Sequence, residues 1–176
     1  KPGDVLLVSN TIGDAFLGLQ QHLGQANFDD PALSAHVARR FKTPAPPMEL
    51  SGLLHEYANA AIDISDGLLS DIKHVLDASG LSAVIELGDL PVSQAALFWI
   101  SHQDDEAAAR LALATGGDDY EIVAAIGEHH LADFIDACAM AGHSMTRLAR
   151  LEAGEGLRVT FNGTLVDAGA LGFTHF

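Results

Sequence analysis

A chain of 176 residues, 48% of them hydrophobic, can bury a core of its own and fits one large domain better than two. Nine Lys and Arg against 24 Asp and Glu leave a formal charge of −15, which argues against a nucleic-acid backbone or an anionic membrane surface as the main partner. A phosphorylated ligand would need divalent cations as intermediaries. The single cysteine, Cys138, rules out an intramolecular disulfide and suits a reducing cytoplasm, and no apolar run reaches the roughly 20 residues needed to cross a bilayer.

The chain opens KPGD, without an initiator Met or a leader, as a domain from the interior of a longer protein would. VLLVSN reads as a short strand, and IGDAFLGLQQHLG as a helix that starts at Gly13–Asp14 and ends at Gly24. DDPALSAHVARRFK carries acids before Pro31 and Arg39, Arg40 and Lys42 at its end, the order the helix dipole favours, and TPAPPM stops it. The helix ELSGLLHEYAN leads into the strand AAIDIS, and a helix from about Gly67 to Ala78 sets Leu68, Leu69, Ile72, Val75 and Leu76 on one side before Gly80 closes it. SAVIEL is a strand, DDEAAARLALAT a helix with Asp104, Asp105 and Glu106 at its start, and GGDDYEIVAAIG a glycine turn running into a strand. In LADFIDACAMAG, Leu131, Phe134, Ile135 and Cys138 share one helical face, which points the thiol at the core. LRVTF and TLV form a hairpin through Asn162-Gly163. Early alternation of strands and helices with an antiparallel end predicts an α+β fold, a mixed β-sheet with helices packed on it.

AAIDISDGLLSD places a carboxylate where burial is expensive. With a period of two, Asp63 faces away from Ile62 and Ile64, so it must be paired, hydrogen-bonded, or at the exposed C-terminal end of its strand. Asp66 and Gly67 follow where a helix begins, whose free N–H groups can cradle phosphate oxygens while carboxylates bind through Mg²⁺. The alternative is that Ser65 or Asp66 simply caps that helix. An EF-hand fails, because Gly67 falls one place early and His74 stands where the closing Glu belongs; a Walker-type loop is absent.

GGDDYE repeats the pattern, with Gly116 and Gly117 allowing close backbone approach. Strand phase puts Asp118 with Tyr120, Ile122 and Ala124, along the more apolar side, and Asp119 and Glu121 on the other; the alternative for Asp118 is an ordinary turn residue. The nine His show no HExxH context and read, like Trp99, as surface or core residues.

Taken in order, KPGDVLLVSNTIGDAFLGL, AIDISDGLLSD, GGDDYEI and the terminal GFTHF resemble the C-terminal domain of the thiamine-monophosphate kinase family, in the superfamily that includes aminoimidazole ribonucleotide synthetase and selenophosphate synthetase. The resemblance covers essentially the whole chain. It implies transfer of the ATP γ-phosphoryl group to the phosphate of thiamine monophosphate, with several Mg²⁺ ions between carboxylates and phosphates and no protein nucleophile. By motif position Asp63 and Asp66 are metal ligands, Ser65 touches ATP, and Asp118 lies at the substrate-contacting place; Ala170 is counted with it as a substrate contact, and Phe173 would supply apolar surface there, with packing of the C-terminal tail as its simpler role. The family's motif reads Gly-Gly-Glu-Asp-Tyr-Glu, so Asp118 shortens the reach by one methylene, and Ala170 stands where an aromatic residue is often found. The resemblance further implies a missing N-terminal domain that brings more Asp ligands, most of the nucleotide pocket and a homodimer contact, so residues 1–176 alone are expected to be inactive. Rival expectations are another synthetase of the superfamily, such as a selenophosphate synthetase, or a non-catalytic acidic module that binds cations. A hydrogenase-maturation protein would end in a reactive Cys, whereas this chain ends Thr174, His175, Phe176.

Overall fold

The computed structural model describes residues 1–169 together with 171 and 172. Strand β1 (Val5–Ser9) leads into helices α1 (Asp14–His22) and α2 (Pro31–Lys42). Helix α3 (Ser51–Tyr57) precedes β2 (Ala58–Asp63), α4 (Leu68–Ser79) and β3 (Leu81–Glu86). Then come α5 (Gln94–Ile100), α6 (Glu106–Thr115), β4 (Ile122–Ile126) and α7 (Leu131–Met140), and last β5 (Met145–Arg150), β6 (Glu152–Ala153), β7 (Gly156–Phe161) and β8 (Thr164–Leu165).

The local signals act as expected. Asp30 accepts from the Ala32 N–H ahead of Pro31, and Asp105 accepts from Ala108 at the start of α6. Gly80 ends α4 in the left-handed conformation, and Asn162 and Gly163 both take positive φ between β7 and β8. Helix α5 escapes a periodicity reading because QAALFWI is apolar almost throughout, yet Ser93 just before it is a working cap that accepts from Ala96.

The mixed β structure with helices packed on it is found, divided between two four-stranded sheets. One is antiparallel throughout, in the order β2-β4-β1-β5; the other runs β6-β3-β7-β8, with β3 and β7 parallel. The reason lies in β1 and β4, which are buried on both faces and so need a layer on each side. Leu6, Val8, Val123 and Ala125 meet Leu68, Leu69 and Ile72 of α4 and Ala83, Ile85 and Val159 of the second sheet. On the opposite face Val5, Leu7, Ala124 and Ile126 meet Leu50, Leu131, Phe134 and Cys138. Cys138 is fully buried, as its helical face requires, and burial pushes its thiol pKa up to about 11. A third cluster joins α1, α2, α5 and α6 through Leu17, Val37, Ala96 and Leu113.

Strand β4 is antiparallel to both β1 and β2 and lies between them. The carboxyl ends of β1 and β2 therefore flank the amino end of β4, which brings residues 9–15, 63–67 and 116–121 together. Among the described residues no helix is long and apolar enough to cross a membrane.

Candidate functional site

Strand β2 is an edge strand whose residues alternate between half-buried and exposed, and Asp63 is its last, exposed residue. Of the three situations its charge permitted, the exposed end is the one found. Beyond Asp63 the chain stays paired to the neighbouring turn: Ile64 donates to the Glu121 carbonyl at 2.8 Å, Tyr120 to Ile64 at 2.8 Å and Asp118 to Ser65 at 3.0 Å. Gly67 is the residue that caps α4, at φ 123, where a Cβ would stand 2.6 Å from the Thr115 carbonyl oxygen. Gly67 itself occupies the cap position, so neither Ser65 nor Asp66 is the cap residue of this helix.

Asp71, one turn into α4, reaches back instead. Its Oδ2 accepts the N–H groups of Ser65 at 3.0 Å and Asp66 at 3.2 Å, and the side chain is only 3% exposed. Burial raises its pKa, the two backbone N–H groups oppose that rise, and the charge of Asp66 adds to it.

The turn at 116–121 departs from the expected strand phase. Asp118 (φ 69) and Tyr120 (φ 52) are left-handed, which breaks the alternation. Asp118 is thereby exposed, while Asp119 and Glu121 are each 1% exposed, the reverse of an apolar-side Asp118. Asp119 accepts from the Gly13 N–H at 2.7 Å and the Ala15 N–H at 3.2 Å. Burial pushes its pKa up to about 7, against the two hydrogen bonds. Glu121 accepts from Ser9 at 2.5 Å, Asn10 at 2.9 Å and Arg40 at 2.8 Å; Arg40 also donates to the Asp119 carbonyl at 3.0 Å. Asp14, fully buried, is held by Thr11, Ser93 and His36. These buried acids and Arg40 escaped the sequence reading, although a Glu leading an apolar strand is a usable signal.

Between α1 and the turn opens a cleft of about 740 Å³, with Ala15, Phe16 and Leu19 on one side and Ser65, Asp66 and Asp118 on its polar rim. Gly172 reaches its edge. Ala170 and Phe173 lie outside the described residues. Among the described residues Asp66, Asp71 and His74 each offer a donor atom within 4.8 Å of the others, a set able to hold a divalent cation. Asp63 is not part of that trio, and His74, which the sequence left as a surface or core residue, is exposed within it.

This fold, with an acidic strand-to-helix junction facing a glycine turn, defines a family: the model of the AIR synthase related protein, C-terminal domain, matches residues 1–162, and the chain belongs to it. The relatives narrow the likeness. The thiamine-monophosphate kinase of Caulobacter vibrioides is 39% identical over 175 residues, 99% of this chain and 49% of that protein. A solved thiamine-monophosphate kinase from Stenotrophomonas maltophilia K279a superposes with a TM-score of 0.79 at 29% identity, covering 94% of this chain and 52% of that one. A structure described as AaThiL complexed with AMPPCP and TMP gives 0.80 at 28% identity, over 100% and 52%. The chain thus spans about half the length of the curated relatives it matches.

Proposed function

We propose that the chain is the C-terminal domain of an ATP- and Mg²⁺-dependent thiamine-monophosphate kinase, completed by an N-terminal domain with further metal ligands and working as a cytoplasmic homodimer. The observation that carries this reading is the convergence of Ser65, Asp66 and Asp118 on one cleft, in a chain similar over its whole length to such kinases. In the reaction an oxygen of the thiamine monophosphate phosphate bonds to the γ-phosphorus of ATP while the bond from that phosphorus to the β,γ-bridging oxygen breaks, releasing ADP and thiamine diphosphate. Positioning and electrostatics supply the acceleration, and no side chain becomes covalently attached.

Asp66 on the cleft rim, with Asp63 at the open end of β2 three residues before it, would supply carboxylate oxygens to a magnesium site that keeps several waters. When bound there, Mg²⁺ would neutralise phosphate charge. Asp71 keeps the Ser65–Asp66 backbone in place through its two hydrogen bonds, and Ser65 faces the nucleotide. Asp118, thrown outward by its left-handed backbone, meets the second substrate, for which Ala15, Phe16 and Leu19 supply apolar surface. Ala170 and Phe173 are proposed substrate contacts by motif position alone.

The test is product identification with the full-length protein. ATP, Mg²⁺ and thiamine monophosphate should give thiamine diphosphate and ADP, and residues 1–176 alone should give none at an enzyme-like rate. Turnover with selenide but not with thiamine monophosphate would reassign the protein within its superfamily; intact function in Asp63→Asn and Asp66→Asn would leave a non-catalytic acidic module.

A further inference from the structure

We propose that Asp119 is a positioning residue whose buried carboxylate fixes the amino end of α1 against the 116–121 turn, setting the spacing of the two cleft walls between which the substrate sits. The identity of that substrate rests on the kinase reading; the tether rests on geometry.

Helix α1 starts at Gly13, which has no side chain with which to cap it and takes φ 86. The missing cap comes from a residue more than a hundred positions away: the two Asp119 oxygens accept one N–H each, from Gly13 and from Ala15. Arg40 holds the carbonyl of the same residue. Asp119 is therefore anchored at three atoms, with a left-handed non-glycine residue on either side, a conformation that persists only where its surroundings over-determine it. What it joins are the walls of one cleft. Ala15, Phe16 and Leu19 belong to α1, while Gly117, Asp118 and Tyr120 belong to the turn. Slack at Asp119 would move Asp118 and Phe16 apart without touching either.

Both Asp119 oxygens act as acceptors, so the Gly13 and Ala15 N–H groups favour the ionised form while burial opposes it. The groups facing it are Asp14 from α1, which opposes ionisation, and Arg40 from α2, which favours it; His36 lies beyond on Asp14, and Glu121 sits two residues along on the Arg40 guanidinium. Burial outweighs those hydrogen bonds and pushes the carboxyl up to about 7, so ionisation costs more in the closed arrangement than in an opened one, and the tether loosens as pH rises through neutrality.

The experiment compares wild-type full-length protein with Asp119→Asn, which keeps the shape but offers one acceptor and turns an NH₂ toward the second N–H. KM for thiamine monophosphate should rise about tenfold while kcat changes less than about threefold, the signature of lost positioning rather than lost chemistry. The wild-type pH profile of kcat/KM should show a step near neutrality that Asp119→Asn lacks. Hydrogen exchange of peptides spanning residues 11–17, corrected for intrinsic rate, should be faster in Asp119→Asn, and in the wild type faster above that step than below it. An unchanged KM, a retained step, or unchanged exchange in the variant would overturn the proposal. If the variant does not fold, the wild type decides alone: exchange at 11–17 that is the same at roughly pH 6 and pH 8 overturns it. Should the wild type fail to phosphorylate thiamine monophosphate, the kinase reading falls and the exchange measurement still decides the tether.

Discussion

The junction at 63–71 and the turn at 116–121 use the same device at different ranges. Each shows an outward carboxylate at the cleft rim, Asp66 in one and Asp118 in the other, backed by a buried one. In the junction the buried acid, Asp71, collects N–H groups five and six residues back in its own segment. In the turn Asp119 collects them from a helix 104 and 106 positions away. Local anchoring fixes the shape of one loop; long-range anchoring fixes the distance between two. In both places the buried acid has its hydrogen bonds, which is how a chain of such negative charge accommodates it.

The sharpest way to separate the outward acids from the inward ones is to neutralise each. Asp66→Asn in the full-length protein should lower turnover on the order of 100-fold with the melting temperature nearly unchanged; a large loss of stability with activity intact would put Asp66 among the structural acids. Gly67→Ala tests the backbone contact between the two regions. A Cβ forced against the Thr115 carbonyl at φ 123 should destabilise by roughly 2 kcal/mol, measured by denaturant titration, and an unchanged midpoint would show that the contact can relax. Asp71→Asn retains one acceptor and should cost about 1 kcal/mol, with nucleotide binding weakened alongside; loss of binding without loss of stability would mean that Asp71 meets the ligand directly.

A further test uses pH dependence. Asp119 titrates at about 7 in the folded chain and near 4, the ordinary carboxylate range, once unfolded, so between these values the folded state holds more protons. Its contribution to stability is present below about pH 4 and lost as pH rises through 7, with Asp71 shifted in the same direction. Melting temperatures from pH 5 to pH 8 should therefore fall less steeply in Asp119→Asn than in the wild type. An identical slope would mean that Asp119 does not titrate in this window.

Legibility in the sequence follows the same division of range. Caps, glycine stops, the Asn162-Gly163 turn and the core face of Cys138 are set by neighbours a few residues apart, and each is found where the pattern puts it. Asp63, Ser65 and Asp66 stood out because charge interrupts an apolar pattern. The roles of Asp119 and Glu121 did not, because two left-handed non-glycine residues reversed the phase that strand alternation assigns. Nor could spacing show that Arg40, apparently a dipole-favoured helix end, reaches across to the turn. The second sheet was hidden for a related reason: β1 and β4 read as ordinary apolar strands, and only their pairing order reveals that both faces need covering.

The central claim is that the acids at the strand-to-helix junction hold cations that in turn hold nucleotide phosphates. Crystals of the full-length protein grown with Mn²⁺ and a non-hydrolysable ATP analogue would locate those cations by anomalous scattering. The expected result is an ion within about 2.2 Å of carboxylate oxygens of Asp63 or Asp66 and in contact with the analogue's phosphates. Phosphates and ions seated elsewhere, with both carboxylates facing water, would contradict it.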